Sequence, residues 1–311
     1  IYLDGKFYMY FSFEYYEDVP DQGGHHQAMH VAVSENPMGP FTLAGQIAHP
    51  FSIDSHIVKT DAGLFLFYSP NTFEGERIGT HIVVQKMKDP YTLEGEPTVV
   101  LLASIDEEIF SSNRYKEGQH WHTLEGAFWF QEGEWQYLMY SGGRYEDETY
   151  FVGYAAAKTT EQDLTKVKFQ KMPDENTYAP LLRSNDWEEG TGHNSVIKVD
   201  GQYYCVYHAR NTEADGLNGD RRNARIAKMH VDNQPEEPIM FSPDIPKALN
   251  GIIMKAISKK PQARYQSAAE FATDLRTVLI SPEVSLDKDA SATQFIPVIS
   301  SNKKLTAALL K

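Results

Sequence analysis

Asp54, Glu125 and His193 each precede a glycine of a predicted β-turn by a similar distance: nine, eight and eight residues. Two carboxyl groups that meet in one pocket could cleave a glycosidic bond, since one protonates the leaving oxygen and the other activates water or attacks the anomeric carbon. Repulsion from the second carboxylate would keep the first protonated near neutral pH. Taken singly, the two acids also fit turn or capping residues, and His193 fits a hydrogen-bonded structural histidine.

The turn glycines belong to a segment that the chain repeats four times. Each copy opens with turn residues and continues as an apolar, β-prone run, and a second, less apolar pair of strands follows it. The turn glycines lie 58, 70 and 68 residues apart. This period predicts an all-β propeller with one blade per repeat, and chance similarity within an ordinary β-sandwich is the alternative. The copies are DGKFYMYFS at 4–12, DAGLFLFYS at 61–69, EGEWQYLMYS at 132–141 and DGQYYCVYH at 200–208.

The propeller architecture explains why the spacing of the three candidate residues matters. The innermost strands of all blades converge on the central axis, so side chains at one level of several blades meet in one pocket. We therefore expect Asp54, Glu125 and His193 to lie close together. The corresponding residue of the first copy would precede residue 1.

The composition bounds the class of protein but not its activity. The chain has 311 residues, of which 41% are hydrophobic. Its net charge of -14 argues against a nucleic-acid partner and is compatible with a neutral substrate such as an oligosaccharide or polysaccharide. Cys205 is the single cysteine, so no internal disulfide forms, and its apolar strand predicts a core position. No apolar run is long enough to span a membrane. No signal peptide is recognisable, which favours the cytoplasm, although the chain begins in mid-strand without Met and we expect a segment upstream.

After about residue 235 the pattern changes from strands to helices. Apolar residues at helical spacing over 245–261, and the segment 264–279, predict two helices behind a proline-punctuated linker. Ser267 fits the N-cap of the second helix, with Glu270 three residues on as in a capping box. The predicted organisation is a β-propeller over 1–235, a helical segment over 236–280 and a disordered polar tail over 281–311.

Several motifs in order resemble glycoside hydrolase family 43, the five-bladed propeller glycosidases. They are AVSENPMGPFT at 32–42, IDSHI at 53–57, LEGAF at 124–128 and TGHNSVIKVDGQYYCVYHAR at 191–210. The resemblance implies an inverting hydrolase of α-L-arabinofuranosyl or β-D-xylosyl linkages, and the ending YHARNTEADGLNGDRRNARIAKMHVD favours arabinose. By motif, Glu125 is the general acid and Asp54 tunes its pKa and orients the sugar. His193 would line the sugar subsite and hold a central ion through water.

The same resemblance predicts an incomplete site. The family's general base is an aspartate of the first blade, but the first repeat here, with its GPF stretch, is similar to the second blade. The four visible blades would then be blades two to five, and the base would lie upstream of Ile1. Asp4, in a turn, and Asp18 and Asp21, in a loop, are poor replacements. Ala127 stands where the family usually has proline, which should shift geometry and leave the chemistry unchanged.

Further residues are candidates for binding substrate. The resemblance assigns Arg222 to the sugar, with Arg221 and Arg225 as competitors for that role. Trp121 and Trp187 could stack on a sugar ring, because each lies just upstream of a residue of the shared level. The spacing of the histidines is not that of a zinc site. We therefore expect no required cofactor and no certain metal site, and a structural calcium ion is compatible with the pattern.

The helical segment resembles a different family. IPKALNGIIMKAISKKPQARYQSAAEFATDL, residues 245–275, is similar to the end of the C-lobe of bacterial serine/threonine protein kinases, where Arg264 would match an anchoring arginine. The glycine-rich loop, the β3 lysine and the HRD and DFG motifs of a kinase are missing from the sequence, which excludes kinase activity. An accessory helical hairpin is the alternative. For the whole chain, a non-catalytic glycan-binding propeller or a kinase-linked sensor segment are the alternatives to a glycosidase.

Overall fold

The computed structural model describes residues 1–14, 26–49, 51–212, 221–231, 242, 244–258 and 264–280. These residues form two compact units. One comprises the described residues up to Met229, and the other those from His230 onward. The described strands belong to four sheets of the first unit, which follow one another in sequence order and are antiparallel apart from one parallel strand pair in the second sheet.

The first sheet is built around the hairpin of the first repeat. Asp4 and Gly5 form its turn with positive φ angles of 49° and 84°, the conformation that a two-residue hairpin turn requires. Its strands, in the order β1-β2-β3-β4, are β1 (Tyr2–Leu3), β2 (Lys6–Glu14), β3 (Gln27–Ser34) and β4 (Thr42–Gln46).

The second sheet has a four-stranded body and a three-stranded extension. The body consists of β5 (Ser52–Thr60), β6 (Gly63–Thr72), β8 (Ile82–Asp89) and β9 (Thr92–Leu101). The extension consists of β7 (Gly79–Thr80), β10 (Ile109–Ser111) and β11 (Trp121–His122). A short 3₁₀ helix, Asp106–Glu108, precedes β10.

The third and fourth sheets complete the first unit. The third contains β12 (Leu124–Glu132), β13 (Trp135–Gly142), β14 (Phe151–Lys158), β15 (Gln170–Lys171) and β16 (Leu182–Arg183). The fourth contains β17 (Glu188–Val199), β18 (Gln202–Asn211) and β19 (Asn223–Met229). The four repeated segments of the sequence therefore fall into four successive sheets, each as a hairpin turn and the strand that follows it.

The apolar run of the second repeat is buried on both faces of its sheet. Phe65 and Phe67 belong to one apolar cluster, which they share with residues of the third sheet, whereas Leu66 and Tyr68 belong to another, shared with Met29 of the first sheet. Neighbouring residues of a strand point to opposite faces, so a strand between two packed sheets must be apolar throughout. Burial of each such side chain contributes about 1.5–3 kcal/mol. This packing holds the first three sheets side by side and thereby positions β5 next to β12.

The second unit contains two helices, α1 (Lys247–Ala256) and α2 (Ala268–Ile280). Ala248 and Ile252 of α1 pack against Val278 of α2. The Ser267 hydroxyl accepts a hydrogen bond from the Glu270 backbone N–H at 3.1 Å, as expected for the predicted N-cap. The Glu270 side chain departs from a capping box, because it accepts from the Gln266 N–H rather than from that of Ser267.

Some predictions about organisation concern residues outside the described part of the chain. These include the disordered tail over 281–311 and most of the predicted linker after residue 235. The predicted domain boundaries stay predictions. No helix among the described residues is long and apolar enough to cross a membrane. The predicted location in the cytoplasm stays a prediction.

Candidate active site

The first strands of the second, third and fourth sheets are each interrupted by an irregularity of register. The shifts follow Ile53 in β5 and Glu125 in β12, and they flank Gly192 in β17. Each interruption holds one residue with a positive φ angle, which bends the strand and re-aims the side chains around it. These residues are Asp54 at 60°, Gly126 at 62°, and Gly190 at 61° and His193 at 51° on the two sides of Gly192.

The backbone N–H groups at these irregularities link each sheet to the one before it. The Asp54 N–H donates to the Ser12 hydroxyl at 3.2 Å, and the His193 N–H donates to the Ser141 hydroxyl at 2.7 Å. The Gly126 N–H instead donates to Oδ2 of Asp54 at 3.1 Å. The Asp54 carboxylate is thus held against the strand that carries Glu125.

The strand pairing corrects the predicted common level by one residue. The regular strand pairs directly before Asp54, Gly126 and His193 are Ile53 with Ser69, Glu125 with Ser141 and Gly192 with His208. Counted from these pairs, Asp54 and His193 share a level with Gly126, and Glu125 lies one position earlier. Counting residues back from the turn glycine did not predict the level of Glu125 correctly, because the register irregularities and the turns differ between the three sheets.

The structure nevertheless brings the three predicted residues together. Nδ1 of His193 lies 3.9 Å from Oδ2 of Asp54. A Cβ atom added to Gly126 would lie 3.1 Å from Cγ of His193, so the imidazole packs directly on the backbone next to Glu125. Two carboxyl groups and one imidazole from three neighbouring sheets therefore form one cluster.

The environment of Glu125 suits a proton donor. Burial and the negative charge of Asp54 raise the pKa of the Glu125 carboxyl to about 7. The Tyr150 hydroxyl, His193 and Arg222 act in the opposite direction, because each stabilises the ionised carboxylate. A carboxylic acid that is half protonated near neutral pH can deliver a proton to a leaving oxygen.

Among the three arginines that compete in the sequence, Arg222 is the one that influences Glu125 electrostatically. Its guanidinium lies over the Tyr145 ring, 4.8 Å from the ring centroid. Arg225 is engaged elsewhere, with Nε 3.5 Å from Oε2 of Glu188. These positions favour Arg222 for contact with a substrate, and its role stays a prediction.

The two predicted tryptophans lie in different settings. Trp121 is 1% exposed and packs against Phe73 and Tyr115, with the Arg114 guanidinium over its ring at 4.8 Å. The Trp121 ring is therefore packed among these side chains, and the structure does not place it in the cluster of Asp54, Glu125 and His193 as a surface for sugar stacking. Trp187 is half-buried just before β17, and stacking on a sugar there stays a prediction.

Two residues that touch the cluster, Tyr150 and Ser141, were not predicted from the sequence. The Tyr150 hydroxyl donates a hydrogen bond to Oε1 of Glu125 at 2.6 Å. Ser141 is the residue opposite Glu125 in the strand pairing. Serine recurs at the end of the repeated run in the first three copies, at 12, 69 and 141, and this recurrence was the available signal. Nothing comparable marks Tyr150, which lies outside the repeated run.

No described residues form a group of three or more His, Cys, Asp or Glu side chains that could hold a metal ion. Calcium takes six to eight oxygen ligands, so an ion near His193 would be held largely through water. The structural calcium ion, and the absence of a required cofactor, therefore stay predictions.

The comparison with known proteins settles the family. The sequence model of glycosyl hydrolases family 43 matches residues 1–234, about three quarters of the chain. The chain belongs to this family. The predicted resemblance is confirmed, and Asp54, Glu125 and His193 all lie within the matched region.

Two relatives of this family 43 chain carry names that describe their activity. An extracellular exo-α-(1→5)-L-arabinofuranosidase of Streptomyces avermitilis is 28% identical over 244 residues, which cover 74% of this chain and 46% of that protein. This chain thus spans about half the length of that relative. The crystal structure of an α-L-arabinofuranosidase from Lactobacillus brevis aligns with a TM-score of 0.61 at 22% identity, and covers 75% of this chain and 71% of that one. Together with the sheets described above, this likeness confirms the predicted all-β propeller fold.

A further relative belongs to a different class of protein. A probable serine/threonine-protein kinase of Streptomyces coelicolor is 39% identical over 54 residues, which cover 17% of this chain and 8% of the kinase. The partial match confirms the predicted resemblance to kinases. Nε of Arg264, the predicted anchor, donates to the Ser258 carbonyl at 2.5 Å within the second unit.

Proposed function

We propose that this family 43 chain carries the acid side of an inverting glycosidase site for α-L-arabinofuranosyl or β-D-xylosyl linkages. Glu125 donates the proton to the leaving oxygen, and Asp54 raises the pKa of Glu125 and orients the sugar. His193 and Arg222 contact the substrate. The name of the Streptomyces avermitilis relative favours arabinofuranosyl linkages, in agreement with the motifs of the fourth repeat.

The observation that carries this proposal is the placement of two carboxyl groups across neighbouring sheets. Oδ2 of Asp54 is fixed by the Gly126 N–H, one residue after Glu125, and its charge helps to keep Glu125 protonated near pH 7. Burial and the charge of Asp54 outweigh the groups that stabilise the ionised form of Glu125, so the pKa of Glu125 is raised as a general acid requires.

We further propose that the general base lies outside the described residues. Asp4 lies in the turn between β1 and β2, and Asp18 and Asp21 are not among the described residues. Large apolar side chains are exposed on the first and the last sheet, which supports a further sheet packed between them. They include Met9 and Phe13 on the first sheet and Ile197 and Ile226 on the last.

A small nucleophile that needs no general base can test whether the described residues supply the acid but not the base. We would incubate the chain with phenyl α-L-arabinofuranoside or phenyl β-D-xyloside, with and without sodium azide. Azide attacks the anomeric carbon, the bond to the phenoxy oxygen breaks, and Glu125 gives that oxygen its proton. We expect glycosyl azide of inverted configuration with azide present, and little hydrolysis without it.

Other outcomes would revise different parts of the proposal. Rapid hydrolysis without azide would show that the chain holds its own base. No product under either condition would contradict the glycosidase proposal. Calorimetric titration with arabinose oligosaccharides would then decide whether the propeller is a non-catalytic glycan-binding module.

The pH dependence of azide transfer is expected to follow the protonation of Glu125. The carboxyl acts only when protonated, so kcat/KM should be level below pH 7 and fall about tenfold per pH unit above it. The midpoint should lie at about pH 7, the pKa of Glu125. The measurement is a pH series of kcat/KM from pH 6 to 9, above the range in which azide itself becomes protonated. A profile that is flat over this range would contradict the assignment of Glu125.

A further inference from the structure

Tyr150 lies directly before β14 and touches Glu125 from within the same sheet. Its side chain is fully buried, with 0% exposure. Its hydroxyl donates to Oε1 of Glu125 at 2.6 Å, a length typical of a hydrogen bond to a carboxylate. Burial and the nearby carboxylate hold the pKa of Tyr150 well above its ordinary value, so the phenol keeps its proton.

The fourth sheet fixes the position of the Tyr150 ring. The ring stacks on the His208 imidazole with a centroid distance of 5.7 Å and an interplanar angle of 11°. A Cβ atom added to Gly192 would lie 1.9 Å from Cε1 of this ring, so only glycine leaves room for it. The Thr191 hydroxyl also donates a hydrogen bond to the Tyr150 carbonyl oxygen at 3.4 Å. The hydroxyl that reaches Glu125 is therefore held by two sheets.

Tyr150 also stands at the end of a hydrogen-bonded chain. The His193 N–H donates to the Ser141 hydroxyl at 2.7 Å, and Ser141 forms a side-chain hydrogen bond with Tyr150. Tyr150 in turn donates to Glu125. Successive hydrogen bonds polarise one another, so the chain strengthens the last donor.

We propose that Tyr150 is a positioning residue that decides which oxygen of Glu125 carries the transferable proton. The Tyr150 O–H group donates its hydrogen bond to Oε1 of Glu125. Because Oε1 is the acceptor of this bond, the acidic proton of Glu125 is carried by Oε2. During reaction the Oε2–H bond breaks and the proton passes to the glycosidic oxygen as the bond to the anomeric carbon breaks. The negative charge left on the carboxylate is then stabilised by Tyr150. The inference rests on the proposed role of Glu125 as the acid.

The charged and titratable groups around Glu125 come from several elements, and the test must hold them constant. They are Asp54 of β5, His193 of β17, Arg222 and Tyr150 itself. Tyr150→Phe keeps the ring and its stacking and removes only the hydroxyl. Tyr207→Phe is a matched control, because the Tyr207 hydroxyl donates to a different buried carboxylate, Oε1 of Glu188, at 3.1 Å.

The experiment is a ¹³C NMR titration of the Glu125 carboxyl in the whole chain, which needs no turnover. Loss of a donor to the carboxylate should raise its pKa by about one unit in Tyr150→Phe and leave it unchanged in Tyr207→Phe. Azide transfer should slow more for phenyl than for 2,4-dinitrophenyl arabinofuranoside, because only the first leaving group needs the proton. An unchanged pKa, or equal slowing for both leaving groups, would overturn the proposal.

A second substitution at position 150 tests the proposal if Tyr150→Phe does not fold. Fluorotyrosine at position 150 makes the phenol a stronger donor without changing its shape, so the pKa of Glu125 should fall. No change would overturn the proposal. If no glycoside reacts but the titrations behave as expected, the contact of Tyr150 with Glu125 stands and the proposed function fails.

Discussion

Glu125→Gln is expected to reduce azide transfer from phenyl α-L-arabinofuranoside by about 10²–10⁴-fold. Glutamine has nearly the same shape as glutamic acid and can still accept the hydrogen bond of Tyr150. It has no acidic proton, so the phenoxide must leave as an anion. The measurement is the initial rate of phenol release at pH 6, where Glu125 is mostly protonated in the native chain.

The leaving group and a second variant serve as controls for this result. 2,4-Dinitrophenoxide leaves without protonation, so Glu125→Gln should slow its release much less. Glu132→Gln removes a carboxylate from the same strand, β12, where Glu132 pairs with Lys198 at 3.0 Å at the exposed end. We expect this variant to keep the native rate. Equal losses with both leaving groups would contradict the role of Glu125 as the acid.

Lys171→Met is expected to lower the free energy of unfolding by about 3–5 kcal/mol. Nζ of Lys171 lies 2.6 Å from Oε1 of Glu108, and the two side chains are 3% and 0% exposed. Glu108 also accepts the N–H groups of Ser104 and Ile105 through Oε2. Without the lysine, a fully buried carboxylate keeps its hydrogen bonds but loses the charge that balances it.

Urea unfolding followed by tryptophan fluorescence measures this change in the correct unit, because all four tryptophans lie between residues 121 and 187. Lys198→Met is the matched control. Lys198 pairs with Glu132 at the surface, where each side chain is 43% exposed, so its loss should cost no more than about 1 kcal/mol. A Lys171→Met variant as stable as Lys198→Met would show that the buried pair contributes nothing.

Much of the fold was predictable because each repeat combines turn residues with an apolar, β-prone run, and these features are visible in the local sequence. Asp4-Gly5 and Asp200-Gly201 adopt the positive φ angles that their residue types favour, and the run after each turn forms a strand. The run LFLFY is apolar on both faces because its sheet is packed on both sides. The helical segment was recognisable from its spacing and from Ser267.

The site was predictable only in part. Asp54, Glu125 and His193 were found from a regular count, but irregularities of strand register moved Glu125 off the common level. Such irregularities depend on how neighbouring strands pair, which the sequence of one strand does not record. Trp121 was expected near the sugar, yet it is buried beside Phe73 and Arg114, because sequence proximity to Glu125 does not fix the direction of a side chain. Tyr150 reaches Glu125 from the position directly before β14 of the same sheet and carries no motif.

The pKa of Glu125 itself tests the central claim most directly. It can be read from the ¹³C titration of the Glu125 carboxyl in the native chain and in Asp54→Asn, with the signal assigned by its loss in Glu125→Gln. Asparagine tolerates the positive φ angle of residue 54 and can still accept the Gly126 N–H, so the substitution removes little besides the charge. We expect a pKa of about 7 in the native chain and a lower value in Asp54→Asn. A pKa near the ordinary value of about 4.3 for a glutamate, or one that Asp54→Asn leaves unchanged, would contradict the proposal that this pair of carboxyl groups is a glycosidase acid and its modulator.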